Sequence, residues 1–431
     1  MKIGGAGLSD SDSVKRACAL PGNFSGETPI LVVSAHEGVT AQLQTCANSA
    51  AAGALEIEAV RVRHRGLLRD LSLEPELLDR LFTELGQVLY SISERRRLLP
   101  EELDFVLSFG ERMSARIVSA CLRSQGTMAT PVDAYDLGLT TDSCHGHARP
   151  LPGLEASLQR SLEQIPGVPV VTGFLAKDGS GNLTTLGSNG SDLTASLVAR
   201  AVGAERLVFW KCVPGVLDAD PRIVPEARVL DGVSMVEAAA LAFHGASVLH
   251  PSTLSPLLDS TVSVEVRDLR NSKEEGTRFD QRPVSTRPIA ITGMSNLQGL
   301  RIPNQPAELS ATLFTLLHAH HVSPRCLHMA SDSITLYAPL TPGWEIMRRE
   351  LGDRAEGLPS LSSVALIGGG GASHCTTLLP ELRATGLEPV RTQFDRHGLS
   401  QLMLFEPENQ AAAIQWLHKE LFASLNGSTL A

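Results

Sequence analysis

The stretch VTGFLAKDGSGNLTTLGSNGSDLTASLVARA (Val171–Ala201) combines an apolar run, two loops rich in glycine and small polar residues, and an amphipathic helix. The apolar run ends at Gly173, and the helical spacing of Leu193, Leu197, Val198 and Ala201 predicts one buried helix face. Ser191 and Asp192 stand where a helix N-cap is expected. Glycines let a backbone approach a ligand closely, and N–H groups at a helix start attract anions. Alone, the stretch fits an anion-binding loop and an ordinary strand–loop–helix connection equally well.

The composition of the chain restricts the classes of function. The 431 residues carry a formal net charge of −10, with 43% hydrophobic and 19% charged residues, which is typical of a soluble globular protein. The chain has no long run of Lys and Arg, so a nucleic-acid partner is not expected. No apolar run approaches the roughly 20 residues that span a bilayer, and the first residues lack the apolar core of a secretory signal. Seven scattered cysteines without a C-x-x-C pair favour neither disulfides nor zinc, so a cytoplasmic protein is expected.

Short apolar runs alternate with helical patterns over the first 280 residues or so. The runs interpreted as strands are Met1–Ala6, Pro29–Ala35, Phe105–Phe109, Thr130–Asp133, Leu207–Lys211 and Val262–Val266. This alternation predicts a mainly parallel sheet joined by crossover helices. Glu111, just after the run FVLSF, is then placed at a strand-to-helix junction, as a site residue or as a first-turn acid favoured by the helix dipole. His145 and His147 lack further metal ligands nearby and are interpreted as solvated loop histidines.

A second rhythm begins near Ser285 and repeats. The first copy is assigned strands at Pro288–Met294, Pro324–Ala330 and Ser333–Ala338 and helices at Ala307–His321 and Pro342–Leu351. The second copy is assigned strands at Ser363–Ile367, Val390–Gln393 and Leu402–Phe405 and helices at Thr376–Thr385 and Gln410–Phe422. Each copy has the order β-α-β-β-α, which predicts two ferredoxin-like α+β modules.

Several motifs, taken in order and spacing, resemble the aspartate kinases. They are KIGG (2–5), VSA (33–35) with GVT (38–40), FGERMS (109–114), GF (173–174), TTLG (184–187) with GSD (190–192), ADPRIVP (219–225), and FHGA (243–246) with VLHP (248–251). The resemblance covers nearly the whole chain. It implies an α/β amino acid kinase domain over 1–282, a three-layer αβα sandwich with a mainly parallel sheet. Two ACT modules, over 286–354 and 360–428, are implied to follow.

The resemblance implies transfer of the γ-phosphoryl group of ATP to the side-chain carboxylate of L-aspartate, giving 4-phospho-L-aspartate, the first step of lysine, threonine and methionine biosynthesis. ATP and Mg²⁺ are the implied cofactors. Positive groups must then offset the repulsion between a polyphosphate and an acid anion. The implied catalytic residues are Lys2 and Asp192, and the implied substrate-binding residues are Thr40, Glu111, Ser188, Gly190 and Ser191. The implied nucleotide-binding residues are Lys2, Gly4, Gly5, Lys211, Arg222 and Ser247.

The sequence departs from the family pattern at two cationic positions. Ser188 stands where the family has an arginine that holds a substrate carboxylate, and Ser247 stands where it has a lysine near the nucleotide phosphates. Serine cannot supply a charged, bidentate fork. Lys211, which the family does not usually have, is a hypothetical replacement for one of these charges.

Three functions therefore stay open: an aspartate kinase with an altered site, an amino acid kinase for another acid, and a non-catalytic homologue that binds amino acids and regulates a partner. The ACT modules imply a homodimer or higher homo-oligomer, with lysine or threonine as the effector. No membrane partner is expected.

Overall fold

The computed structural model describes residues 1–23, 28–246, 248–303, 307–395 and 398–422. The strands are β1 (Lys2–Ile3), β2 (Leu31–Val33), β3 (Ala129–Val132), β4 (Thr140–Thr141), β5 (Val168–Thr172), β6 (Leu175–Asp178), β7 (Leu183–Thr185), β8 (Arg206–Lys211), β9 (Gly232–Ser234), β10 (Ser263–Asp268), β11 (Thr277–Asp280), β12 (Pro288–Thr292), β13 (Leu297–Pro303), β14 (Cys326–Met329), β15 (Ser333–Ala338), β16 (Glu356–Gly368), β17 (Arg391–Phe394) and β18 (Ser400–Phe405). The helices are α1 (Ser11–Ala19), α2 (Val39–Ala51), α3 (Glu58–Asp70), α4 (Asp79–Arg95), α5 (Pro100–Ser124), α6 (Glu155–Glu163), α7 (Gly190–Ala201), α8 (Met235–Phe243), α9 (Pro251–Leu254), α10 (Ala307–Ala319), α11 (Pro342–Leu351), α12 (Gly371–Ala384) and α13 (Gln410–Phe422).

The chain divides into two compact units. The first comprises Met1–Val216 and Ser252–Gln281, and the second comprises Leu217–Pro251 and Arg282–Ala431. No helix in the described ranges is both long and apolar enough to cross a membrane. The domain boundaries inferred from the sequence, at 282, 286, 354, 360 and 428, remain predictions.

The first unit is built on the predicted parallel sheet. Its strands run in the order β3-β5-β2-β1-β8-β10-β11, and all neighbours are parallel except β10 and β11. The central strand β1 places Lys2 between Val32 of β2 and Phe209 of β8. Burial on both faces explains the nearly continuous apolar runs of these strands. The carboxyl ends of β1, β2, β5 and β8 meet at one edge, where ligands bind in open α/β sheets.

The run Phe105–Phe109 was expected to form a strand, and this prediction is wrong. It lies inside α5, a 25-residue helix in which almost every residue from Asp104 to Leu122 is buried. A helix apolar on all sides gives the same local pattern as a buried strand. Pro100 in the first turn, followed by Glu101 and Glu102, is the start signal that distinguishes the two. Glu111 consequently lies in the middle of a helix.

The stretch between β5 and α7 contains a small sheet that sequence reasoning missed. Strands β6 and β7 form an antiparallel hairpin, and β4 pairs with β6. The N-cap of α7 is Asn189, which has left-handed backbone (φ 60°) and makes no side-chain capping bond. Ser191 and Asp192, expected at the cap, instead lie in the first helical turn. Because this helix start depends on the backbone conformation of Asn189 and not on a side-chain hydrogen bond, the sequence pattern did not identify the N-cap residue.

The second unit contains the two repeated modules, with one strand shared between them. The strand order is β14-β15-β13-β16-β18-β17, and β12 pairs with β16. The first half of β16 pairs with β13, and its second half pairs with β12 and β18. The prediction that Pro288–Met294 is the first strand of the first module is therefore wrong: β13, which was missed, takes that place, and β12 joins the sheet of the second module.

The segment Leu217–Pro251 also belongs to the second unit. Ala219 and Val224 lie in a buried apolar cluster with residues of the second module, including Ile291, Leu366, Met403, Phe405, Ile414 and Leu417. The Ile291 amide donates to the Asp218 carbonyl over 2.7 Å, and Gln415 Nε2 donates to the Ile223 carbonyl over 2.9 Å.

Candidate functional site

A cavity of about 760 Å³ opens at the carboxyl edge of the parallel sheet in the first unit. The predicted site residues that line it are Lys2, Gly5, Thr40, Glu111, Ser188, Gly190, Ser191, Asp192 and Lys211. These residues come from five separate parts of the chain, so the fold brings together most of the set that the sequence predicted. A cavity of this size holds a small-molecule ligand.

At one end of the cavity, a buried carboxylate lies between two ammonium groups. Asp192 Oδ1 is 2.5 Å from Lys2 Nζ, and Asp192 Oδ2 is 3.1 Å from Lys211 Nζ. Burial alone would raise the pKa of Asp192, but the two lysines hold it below its usual value. Burial lowers the pKa of Lys2, against the opposing effect of Asp192. Two cations and one anion leave this end with a net positive charge, which favours an anionic ligand.

Glycines let the backbone pass close to this charged group. A Cβ atom on Gly5 would lie 2.9 Å from the carbonyl oxygen of Ala35, so only glycine fits there. A Cβ atom on Gly4 would lie 3.4 Å from Lys2 Nζ. Gly4 does not line the cavity, although it directly precedes Gly5. Gly5 thus has a steric reason to be glycine, and the role inferred for Gly4 remains a prediction.

Glu111 projects from the middle of α5 into the same cavity, where its charge also interacts with that of Lys2. Its side chain is buried, with 3% of the residue exposed. Oε1 accepts the Ala35 amide over 3.1 Å, whereas Oε2 has no hydrogen-bond partner within the part of the chain that the structure describes. Burial raises the pKa of Glu111 to about 7. A buried carboxyl oxygen without a partner is energetically costly, and a positively charged ligand group would satisfy it.

The wall beside Glu111 is formed by the start of α2. Gly38, with φ 76°, is the N-cap of this helix, and Thr40 lies exposed in its first turn. His36 precedes this turn and is buried, with Nδ1 2.8 Å from the carbonyl oxygen of Leu8. Burial lowers the pKa of His36 to about 3, so this imidazole is neutral near pH 7. His36 therefore adds no positive charge to the cavity.

The loop before α7 forms the opposite wall. Ser188 is exposed and Ser191 is buried, and both line the cavity with Gly190. A Cβ atom on Gly173 would lie 2.4 Å from Ser191 Cβ, so glycine is required at the end of β5. Phe174, which follows, has φ 68°, a conformation that is strained for a bulky residue. Strain of this kind beside the first turn of α7 is typical of a functional site.

Asp104 and the loop 145–147 also contribute to the cavity, and sequence reasoning missed them. Asp104, Gly146 and His147 are lining residues. His145 is half-buried and its Nδ1 lies 2.9 Å from Asp104 Oδ2, so the interpretation of His145 as a solvated histidine is wrong. His147 is exposed. The available signal was the position of Asp104 seven residues before Glu111, which places both on one face once the segment is assigned to a helix.

Of the other predicted nucleotide-binding residues, Arg222 is not among the residues that line this cavity, and Ser247 cannot be placed. Arg222 belongs to the second unit, where its exposed guanidinium pairs with Asp220 over 2.6 Å. Ser247 lies outside the described residues. The roles inferred for both remain predictions.

No group of three or more His, Cys, Asp or Glu side chains in the described ranges is arranged to hold a metal ion. Within the cavity, Asp192 is already neutralised by two lysines, and one oxygen of Glu111 accepts a backbone amide. The protein side chains alone therefore do not form a metal cage.

A parallel αβα fold with a glycine-lined cavity and a buried lysine–aspartate pair at the strand ends defines a class of phosphotransferases. The amino acid kinase family model matches residues 1–268, and the chain belongs to this family.

Similar proteins extend this match beyond the first unit. The chain is 29% identical to aspartokinase 1, chloroplastic, from Arabidopsis thaliana, over 98% of this chain and 80% of that protein. It superposes on Escherichia coli aspartokinase III in complex with aspartate and ADP, in the R-state, with a TM-score of 0.82 and 26% identity over 98% and 99% of the two chains. The T-state of that enzyme, with lysine and aspartate, gives a TM-score of 0.77 and 26% identity over 98% of each chain. The resemblance to aspartate kinases and the predicted fold class are both confirmed.

Proposed function

We propose that this chain is an aspartate kinase, which transfers the γ-phosphoryl group of ATP to the side-chain carboxylate of L-aspartate and forms 4-phospho-L-aspartate. This is the first step of lysine, threonine and methionine biosynthesis. The observation that carries the proposal is the pairing, within one cavity, of a two-lysine cluster with a buried carboxyl group that has a free oxygen. The similarity to aspartokinase III with bound aspartate and ADP supports the same substrates.

The lysine cluster supplies the positive charge that phosphoryl transfer requires. Charge on the transferring group spreads over its oxygens, so fixed cations lower the barrier. Lys2 and Lys211 act as these cations, and Asp192 is the group that holds both ammoniums in place. The backbone at Gly5 can approach the phosphates because no side chain intervenes. Asp192 is a poor general base, since its low pKa leaves it weakly basic.

Glu111 supplies the complementary charge for the amino acid. Its free oxygen accepts the α-ammonium group of aspartate, and ionisation of Glu111 on binding relieves the cost of its burial. Thr40, Ser188, Gly190 and Ser191 complete the wall around the substrate. The acceptor carboxylate then points toward the lysine cluster at the other end of the cavity.

Mg²⁺ is proposed as the companion of the nucleotide. Because the described side chains form no three-ligand metal cage, we assign no residue to the ion. Mg²⁺ commonly binds through substrate phosphates and water with few protein ligands. When bound, it would screen the charge of the phosphates.

A coupled trapping assay tests the proposed activity. The full chain is incubated with ATP, Mg²⁺ and hydroxylamine, together with L-aspartate or with one of a panel of other amino acids. Hydroxylamine converts an acyl phosphate into a hydroxamate, so we expect product with L-aspartate. Absence of product with every amino acid, together with absence of nucleotide binding by calorimetry, would favour a non-catalytic regulatory protein.

A different acceptor is the second candidate, and the observation that favours it is the neutral side chain at Ser188. A substrate carboxylate beside Ser188 meets no charged, bidentate side chain from the loop 186–189. Product with another acid in the same panel, and none with L-aspartate, would establish this alternative.

The partners are also part of the proposal. We propose lysine or threonine as an effector that binds the ACT modules, and a homodimer or higher homo-oligomer as the assembly. The lysine complex of aspartokinase III supports an amino-acid effector. The described cysteines are free, which fits the proposed cytoplasmic location. Sedimentation with and without each amino acid tests both the assembly and the effector.

A further inference from the structure

Asp104 is a buried charge that the proposed reaction does not use. It lies on α5 two turns before Glu111 and is completely inaccessible to solvent. It is also one of the residues that line the cavity. Removing a carboxylate from water is costly unless hydrogen bonds compensate, so its partners indicate its role.

Four donors from two different segments converge on this carboxylate. Thr185 donates through Oγ1 over 2.6 Å to Oδ1 and through its amide over 3.2 Å to Oδ2. His145 Nδ1 lies 2.9 Å from Oδ2, and the Gly146 amide lies 3.1 and 3.0 Å from Oδ1 and Oδ2. A carboxylate has about four acceptor positions, so these donors fill it. Asp104 is thereby excluded as a base or as a metal ligand.

The two segments that Asp104 joins are both walls of the cavity. Thr185 ends β7 and leads directly into the loop 186–189 before α7, whereas Gly146 belongs to the loop 142–148. A backbone bond from the Ala148 amide to the Thr185 carbonyl, 2.9 Å long, joins the same two segments. The carboxylate and this bond form a clamp between the segments.

The clamp reaches the substrate loop through a direct contact. Gly187 has φ 71°, and a Cβ atom there would lie 2.7 Å from His147 Nδ1 and 3.2 Å from the carbonyl oxygen of Gly146. The backbone of Gly187 therefore packs against the loop 146–147 with no room for a side chain. A shift of that loop would change the position of Ser188, which follows Gly187 directly.

We propose that Asp104 is a positioning residue that fixes the loop 186–189 (the substrate loop) against the loop 142–148 and so sets the affinity for the amino-acid acceptor. This inference rests on the proposed aspartate kinase activity for its kinetic readout, and on amide exchange for a readout that needs no activity. The ion pairs of the lysine cluster are formed with Asp192 and involve neither Asp104 nor Thr185. Nucleotide affinity is therefore expected to be independent of Asp104.

Asp104→Asn tests the proposal because the amide keeps the size but loses the charge and half of the acceptor capacity. We expect the KM for aspartate to rise about tenfold, as the loss of one charge-assisted hydrogen bond predicts, with the KM for ATP within about twofold of wild type. Thr185→Val removes only the 2.6 Å hydroxyl bond, so a smaller rise in the KM for aspartate, about threefold, is expected.

Asp133→Asn is the matched control. Asp133 is also a buried carboxylate, held by Arg116 with an Nη1–Oδ1 distance of 2.5 Å, but it does not line the cavity. This variant is expected to melt at a lower temperature with both KM values unchanged within about twofold. An equal rise of both KM values in Asp104→Asn, or an unchanged KM for aspartate in the folded variant, would overturn the proposal.

Hydrogen exchange separates this proposal from the proposed function. Amides in 142–148 and 185–191 are expected to exchange about tenfold faster in Asp104→Asn than in wild type, and unchanged exchange refutes the clamp. If wild type does not phosphorylate aspartate, the proposed function fails. Hydrogen exchange then still shows whether Asp104 holds the two loops together. If Asp104→Asn does not fold, Thr185→Val and His145→Ala replace it. The KM values for aspartate and for ATP, and the exchange rates of the same amides, are then measured in these two variants.

Discussion

The cavity contains two buried charged groups: the lysine end, formed by Lys2, Asp192 and Lys211, and the Glu111 end. They differ in how their charge is compensated. At the lysine end, Asp192 is paired with Lys2 and Lys211 within the protein itself. At the other end, Glu111 keeps one oxygen without a partner in the described structure, and its pKa is raised to about 7. The lysine end is therefore preorganised before any ligand arrives, whereas the Glu111 end is completed by the ligand. This difference predicts that substitutions at the lysine end lower kcat, whereas substitutions at the Glu111 end raise the KM for aspartate.

Lys2→Ala has the largest expected effect. Lys2 is 6% exposed, so water cannot replace its charge, and kcat is expected to fall about 10³-fold, as for loss of a fixed donor at a developing charge. Hydroxamate formation at saturating aspartate and ATP measures it. Lys2→Arg retains the charge and serves as the control. Activity of Lys2→Ala within tenfold of wild type would contradict the role given to Lys2.

Glu111→Gln tests the other end, with a larger effect on affinity than on turnover. We expect the KM for aspartate to rise about 30-fold, because an ion pair with the ammonium group is lost. In wild type, Glu111 is mostly protonated below pH 6 and mostly ionised above pH 8, so the KM for aspartate should fall about tenfold between these values. Steady-state kinetics across this range provides the measurement. A pH dependence that persists in Glu111→Gln would assign it to another group.

Lys211→Met tests whether the second lysine acts with the first. The Lys211 side chain is 23% exposed, so solvent replaces part of its effect, and kcat is expected to fall only about tenfold. Lys177→Met, at a half-buried lysine of β6 that does not line the cavity, is the matched control and should have no effect. A rise in the KM for aspartate with unchanged kcat would show that Lys211 binds the amino acid, and would contradict its role in phosphoryl transfer.

Ser188→Arg has the smallest expected effect. It tests whether a positive charge in the substrate loop improves the binding of aspartate. Ser188 is exposed, so an arginine has room, and its guanidinium should lower the KM for aspartate about threefold. Ser188→Gln adds length without charge and is the control. If both variants change the KM equally, the effect comes from size rather than charge.

The sequence predicted the parallel sheet and most of the cavity because each depends on local patterns. Apolar strands followed by glycine turns mark the carboxyl edge. The resemblance of short motifs to the aspartate kinases implied Lys2, Glu111 and Asp192 as site residues, although the strand expected before Glu111 is part of a helix. The failures arose where tertiary structure overrides local pattern. The run FVLSF is apolar because α5 is buried all round, and the first strand of the first module was misassigned because β16 pairs with two sheets.

Asp104 was missed for a related reason. Its partners Thr185 and Gly146 are 81 and 42 residues away in the chain, so no local spacing reveals the clamp. A lone acidic residue in an apolar helix is a weak signal until the helix itself is recognised. Long-range hydrogen bonds of this kind become visible only with the fold.

The burial of Ala219 and Val224 among residues of the second module has a consequence for biosynthesis. A ribosome makes the segment Leu217–Pro251 well before Phe405 and Ile414, so Ala219 and Val224 lack these buried partners until that later part of the chain has been made. Domains commonly fold as they are translated, from the N-terminus onward. In this protein the segment Leu217–Pro251 can instead bury these apolar side chains only after the second module has been synthesised.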